Sequence, residues 1–128
     1  MIHKVISMEK ILRQTLLYDF YGELLTGHQR RIYEDAVFGD LSLGEIAEMQ
    51  GISRQGVHDL IRRCDRALEE YEEKLHLVRK FSETRKQIEK IRSLAGEGGQ
   101  ESISLSGPEL SGRLEQIRTL CDRVLASL

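Results

Sequence analysis

Between Leu41 and Arg63 the chain reads LSLGEIAEMQGISRQGVHDLIRR, and this stretch narrows the choice of fold more than any other. Ser42 is an N-cap residue with Glu45 three positions on, the spacing of a capping box. Ile46, Ala47 and Met49 then give a short helix an apolar side. Gly51 follows, a residue free to take the positive φ that closes a helix. Ile52 is placed as the apolar plug of the turn. Ser53 stands as the N-cap of a second helix, whose apolar positions Val57, Leu60, Ile61 and Cys64 fall at helical spacing. Two capped helices meeting at a glycine corner form a helix-turn-helix, in which the second helix presents its opening turns to a ligand. The other face of that helix carries Arg54, Gln55, His58, Asp59, Arg62 and Arg63, with Ser53 at its tip.

The flanking sequence predicts more helix. Met8–Leu25 has Ile11, Leu12, Leu16, Phe20 and Leu24 every three or four residues, with residues before Met8 expected as a frayed arm. Thr26 and Gln29 have capping-box spacing at the head of a second helix, which runs through Ile32, Tyr33, Ala36 and Val37 and stops near Gly39. After Val57 the apolar series continues through Ile61, Cys64, Leu68, Tyr71, Leu75, Val78 and Phe81. A near-heptad run of that length exceeds what a minimal helix-turn-helix buries, so its far half requires a partner surface. The register slips by one position near Phe81, where Ser82 is placed to cap a separate helix carrying Ile88, Ile91 and Leu94. Residues 95–107 are rich in Gly and Ser and read as a linker. A last helix is expected from about Pro108, with Leu110, Leu114, Ile117, Cys121, Val124 and Leu128 as its stripe. The expectation is an all-α protein: a helix-turn-helix domain over residues 1–81 and a helical extension over 82–128. The heptad-like surface left over points to a homodimer.

Composition agrees with that class and limits the function. One Pro, no Trp and few aromatics leave a largely aliphatic core, and no alternating strand pattern of useful length occurs. Net charge is -2, with a pI near 6.1. Non-specific affinity for nucleic acid comes mostly from Lys and Arg neutralising phosphates, and this chain has no general excess of them. Any basic character is local: Arg54, Arg62, Arg63 and Arg66 lie on or near the second helix of the motif. The acidic block EEYEEK, Glu69–Lys74, follows at once and reads as a solvated helix face that repels phosphate. Cys64 and Cys121, at apolar positions far apart in sequence, read as small buried hydrophobes in a reducing compartment. No stretch has the length and apolarity of a signal peptide or a membrane span, and a cytoplasmic protein is expected.

No enzyme is legible. His3, His28, His58 and His76 lack metal-ligand spacing with one another or with Cys. There is no nucleophile elbow and no phosphate loop; GEGG at residues 96–99 follows no strand and lacks the lysine, so it reads as linker. No cofactor is expected. Arg54 and Gln55 stand where side chains reach base edges or phosphates, Arg being suited to guanine and Gln to adenine. The same residues suit the polar surface of a protein scaffold, and on the residues alone the two uses stand level. Gly56, inside the second helix, costs about 1 kcal/mol relative to Ala; it either admits a close-lying partner backbone or is tolerated drift.

From Leu24 to Leu77 the chain resembles region 4 of sigma-70-type transcription factors, with LT-x-x-Q-R, then S-x-x-E-I-A, then S-x-x-x-V and an Arg-containing helix. It is more similar still to the YlxM family of small bacterial proteins, through FYGELLT, SLGEIAE, ISRQGVHD and LEEYEEKLHL. The resemblance covers roughly Met8 to Phe81. It implies a regulatory role linked to the signal recognition particle (SRP), acting through the particle's RNA or its GTPases, with DNA-binding ancestry in the sigma-like motif. Carried over by position, it implies Ser53, Arg54, Gln55, His58, Asp59 and Arg62 as groove-facing. Gly56 departs from the family pattern, where a small residue with a Cβ is usual. A DNA-binding transcriptional regulator is the second expectation, and a structural adaptor the third.

Overall fold

The computed structural model describes residues 2–96 and 106–128, with side chains from Met8 onward. The described residues form six α-helices and one 3-10 turn, with no strand among them: α1 (Ile2–Tyr21), the 3-10 turn Gly22–Leu24, α2 (Gly27–Val37), α3 (Leu43–Gln50), α4 (Arg54–Leu75), α5 (Leu77–Ala95) and α6 (Gly107–Ser127). They divide into two compact units, Met1–Val78 and Arg79–Leu128. Most of the predicted linker, residues 97–105, lies outside the described residues.

In the first unit α4 is the shared element, packing against α1, α2 and α3. Two apolar clusters lie along it. One joins Leu17, Tyr21 and Leu25 to Tyr33, Cys64, Leu68 and Val78; the other joins Ile32, Ile46, Ala47 and Val57. Leu60 and Ile61 pack against both. Val57, Cys64 and Leu68, the predicted inward positions of α4, are fully buried.

The first helix departs from expectation at both ends and in its face. Helix continues back to Ile2, where a frayed arm was expected, and gives way to the 3-10 turn after Tyr21. Ile11, Leu12, Phe20 and Leu24 are exposed, and Leu17, Tyr21 and Leu25 make the core contact instead. The helix is apolar on two sides, and periodicity alone does not say which one the rest of the unit covers. A polar seam runs beside the buried side. Gln14 and Tyr33 both donate to Asp65, and the Arg13 guanidinium makes paired bonds of 3.0 and 2.9 Å to the Glu69 carboxylate.

The main correction concerns the long helix. It stops at Leu75, and His76 takes a left-handed conformation with φ 56° and its N–H donated to the Glu72 carbonyl. Helix resumes at Leu77, so Ser82 lies inside α5 and caps nothing. Neither Gly nor Pro marks this break. Its stabilisation is tertiary: the Tyr21 hydroxyl donates to Glu72 Oε1 at 2.6 Å and accepts from the Leu77 N–H at 3.1 Å, while Glu72 Oε1 also accepts from the Val78 N–H at 2.9 Å. Side chains of α1 and α4 thus serve two of the backbone donors that open α5. Glu72 is buried, and Glu69 is tied to Arg13, so the acidic block is not simply a solvated face.

In the second unit α6 starts at a reciprocal box, Ser106 accepting from the Glu109 N–H and Glu109 accepting from the Ser106 N–H. Pro108 sits in the first turn as expected. Its stripe is only partly inward: Ile117, Cys121 and Val124 are half-buried, Leu110, Leu114 and Leu128 are exposed, and the buried residue is Leu120, which the expected stripe omits. Both cysteines are free thiols, Cys64 fully buried and Cys121 half-buried.

Two outcomes follow from this packing. Tyr21→Phe keeps the ring and removes both hydroxyl contacts, one of them to a carboxylate; urea unfolding should register a loss of about 2 kcal/mol. An unchanged midpoint would show that the hydroxyl does not hold the break. The second outcome concerns alkali. Burial pushes the Cys64 thiol up from an ordinary 9.0 to about 11, with the nearby Asp65 charge adding to it. Burial, and then hydrogen bonding to Asp65 and Glu72 respectively, raises Tyr33 and Tyr21 as well. The fold thus holds the neutral forms, and the unfolded chain ionises first. That contribution is complete below the unfolded values and is lost as pH climbs through the folded ones. The urea midpoint should fall between pH 9 and about 11, with Cys64→Val flattening the early decline; a midpoint constant to pH 11 would contradict it.

Candidate nucleic-acid interface

The helix-turn-helix corner forms as its chemistry requires. Ser42 accepts from the Glu45 N–H at 3.1 Å and starts α3. The expected box is not reciprocal, because the Glu45 carboxylate accepts from the Ser42 hydroxyl rather than from the Ser42 N–H. Gly51 closes α3 at φ 66° and ψ 31°, and both Gly51 and Ile52 return their N–H groups to the Ala47 carbonyl. The Ile52 bond is the 6→1 bond of a Schellman turn and the Gly51 bond the 5→1 bond of an αL cap, a left-handed closure that a Cβ at Gly51 would strain. Ile46 and Ala47 are buried at the corner against Val57. Met49, expected on the apolar side of α3, is 65% exposed, and Ile52, expected as the plug of the turn, is 37% exposed. Ser53 then caps α4, accepting from the Gly56 N–H at 2.9 Å. A Cβ at Gly56 would lie 3.2 Å from the Ser53 Oγ, so the small residue leaves room for the cap itself.

All seven predicted site residues are exposed, Ser53 as the N-cap of α4 and Arg54, Gln55, His58, Asp59, Arg62 and Arg63 on the helix, whose opposite side is sealed by Val57 and Cys64. They do not form one patch. Arg54 turns back toward α3, where a Cβ on Gly44 would come within 2.8 Å of its Nη2. With Ser42, Glu45, Glu48 and Ile52 it lines a cleft of about 520 Å³ at the paired starts of α3 and α4. Asp59, Arg62, Arg63 and Arg66 line a second, shallow cleft of about 230 Å³ one to three turns along α4. Between the two, Gln55 donates from Nε2 to Asp59 Oδ1 at 3.0 Å, and His58 Nδ1 lies 4.0 Å from the same oxygen. Arg66 completes the basic set; its i+4 spacing from Arg62 was the sequence signal for it. The return of Arg54 onto Gly44 had none beyond the glycine. No cluster of metal-ligating side chains occurs among the described residues.

Residues 8–104 match the family of YlxM/p13-like helix-turn-helix proteins termed UPF0122. The chain belongs to the UPF0122 family. It is 56% identical over 84 residues to a UPF0122 protein of Caldanaerobacter subterraneus, a match covering 66% of this chain and 72% of that one. It is 44% identical over 95 residues to the UPF0122 protein YlxM of Bacillus subtilis, across 74% of this chain and 86% of the relative. A UPF0122 protein of Bacillus cereus is 48% identical over 90 residues, covering 70% and 82%. The matched region of the family profile holds the corner at Gly51, the whole of α4 and the Tyr21–Glu72 contact. Among the described residues no helix is long and apolar enough to cross a membrane.

Proposed function

We propose that this UPF0122 chain is a non-enzymatic regulator of the cytoplasm that contacts nucleic acid through the outer face of α4. The partner favoured by its YlxM resemblance is the SRP, met at its RNA and, through the same protein, at its GTPases. The observation that carries the reading is the state of the arginines. Arg62, Arg63 and Arg66 are exposed on one stretch of a rigid helix, and none makes a hydrogen bond or ion pair among the described residues. Unpaired guanidiniums held on a buried scaffold are suited to phosphate oxygens. The acidic turns that follow, including Glu70 and Glu73, limit the contact to the first four turns of α4. A short footprint favours a shaped ligand over a long uniform backbone. Duplex DNA is the second reading, supported by the helix-turn-helix geometry, in which the opening turns of the second helix reach base edges.

A second copy of the chain is the proposed cover for the apolar side of α1. Met8, Ile11 and Leu12 are 64, 50 and 61% exposed there and line an almost wholly apolar depression.

Two measurements decide these points. Fluorescence anisotropy with SRP RNA and with a DNA duplex, across salt, should give a slope of log K on log salt near −3 to −4 for the duplex. That is the value expected for roughly four arginine–phosphate contacts at about 0.9 each. Arg54→Ala and the double variant Arg62→Ala/Arg63→Ala should each weaken binding about tenfold, as lost charge-assisted contacts do. Binding insensitive to both variants, with GTP hydrolysis by the SRP GTPases also unmoved by the protein, would leave an adaptor role instead. For the homodimer, sedimentation equilibrium at micromolar protein should give twice 14.7 kDa, and a mass of 14.7 kDa would refute it.

A further inference from the structure

We infer that Asp59 sets the selectivity of the α4 face, by opposing phosphate contact that is not accompanied by a contact at Gln55. The inference rests on the nucleic-acid reading above and deepens it. Gln55, Asp59, Arg62, Arg63 and Arg66 share one side of α4, at spacings of three, four and seven residues that place neighbours one above the other. Asp59 is the acidic member of its cleft, facing Arg62, Arg63 and Arg66. It forms no ion pair within 4 Å with any of the three among the described residues; its partners are the Gln55 amide and, more distantly, the His58 ring. The arginines therefore keep their capacity for an anion, while the carboxylate's field subtracts from whatever enters.

Two consequences of that placement act together. A phosphate seated on Arg62, Arg63 and Arg66 meets a like charge in the same cleft, so backbone contact alone is discounted. The Gln55 amide is meanwhile oriented: one N–H is committed to Asp59, which leaves its carbonyl and second N–H for the ligand. That is the pair with which Gln reads adenine. A ligand that satisfies Gln55 recovers what the carboxylate takes away, and a random one does not. Specificity is a difference between affinities, and an element that repels the wrong partner raises it as surely as one that attracts the right one. The acid set among arginines on this face, in a chain with a net charge of -2, has this effect.

Asp59→Asn separates charge from shape, because the amide keeps an oxygen to accept from Gln55. Anisotropy titrations would use two fluorescein-labelled probes, a random-sequence DNA duplex and an RNA hairpin, from 50 to 300 mM salt. Alongside would run wild type, Gln55→Ala and Arg62→Ala/Arg63→Ala, each checked for an unchanged melting transition. The expected result is about 3- to 10-fold tighter binding of Asp59→Asn to at least one probe, with a salt slope steeper by up to about 0.9, the equivalent of one added phosphate contact. Gln55→Ala should leave that slope as in wild type. An Asp59→Asn affinity and slope equal to or weaker than wild type on both probes, while Arg62→Ala/Arg63→Ala lowers binding, would overturn the Asp59 assignment alone. If the double arginine variant binds as wild type does, the nucleic-acid reading falls and this assignment with it.

Discussion

Glu72 is a carboxylate taken out of water in the middle of an apolar cluster, and it is retained because it is hydrogen-bonded from two elements. Tyr21 reaches it from α1, and the Val78 N–H reaches it from the head of α5. An uncompensated buried charge destabilises strongly, whereas one met by good donors does not. The same contact ends α4 at Leu75 and holds α1 along it, with Leu17, Tyr21, Leu68 and Val78 closing around. The far end of α4 is therefore anchored by a polar contact, while its near end is anchored by Ile46, Ala47 and Val57. A helix fixed at both ends presents its outer face without needing the ligand to order it.

The use of α4 changes along its length. Its first four turns carry the exposed Arg54, Arg62, Arg63 and Arg66, and its last two carry Glu69, Glu70, Glu72 and Glu73. In the second group, Glu69 is spent on Arg13 and Glu72 on the helix break, so much of that acid is structural. What reads as a single charged run along one helix is thus two populations: cations open to solvent near the corner, and anions of which Glu69 and Glu72 are engaged with α1 and with the head of α5. This division makes the basic stretch short, and it explains how a chain of slightly acidic balance presents a local cluster of exposed arginines.

Apolar surface remains on the outside. The side of α1 carrying Met8, Ile11 and Leu12 faces solvent, as do Leu110 and Leu114 on α6 and Leu128 just after it. Contiguous exposed apolar residues on helices are uncommon in chains that act alone, and their usual explanation is contact with another surface. The near-heptad spacing had pointed to such surplus on the continuation of α4, where Leu75, Phe81 and Ile88 are exposed; it did not point to the surplus on α1.

The local sequence by itself determined the elements whose ends are decided within a few residues. Thr26 and Gln29, Ser53, Gly51, and Ser106 with Pro108 start or stop helices through contacts inside one turn, so they are readable without knowing the fold. The inward face of α4 was readable for the same kind of reason, since Val57, Cys64 and Leu68 make a single stripe. The tertiary structure decided the rest. It chose Leu17 and Tyr21 over Ile11 and Leu12, because α1 has two apolar sides and α4 covers one. It put the break at His76 rather than at Ser82, because the donors of Leu77 and Val78 find their acceptors on side chains 56 and 6 residues away in sequence. It turned Arg54 onto Gly44, a pairing that depends on how two helices lie in space and that no spacing along a chain encodes; the placing of Asp59 beside Arg62, Arg63 and Arg66, by contrast, follows from their spacing on one helix.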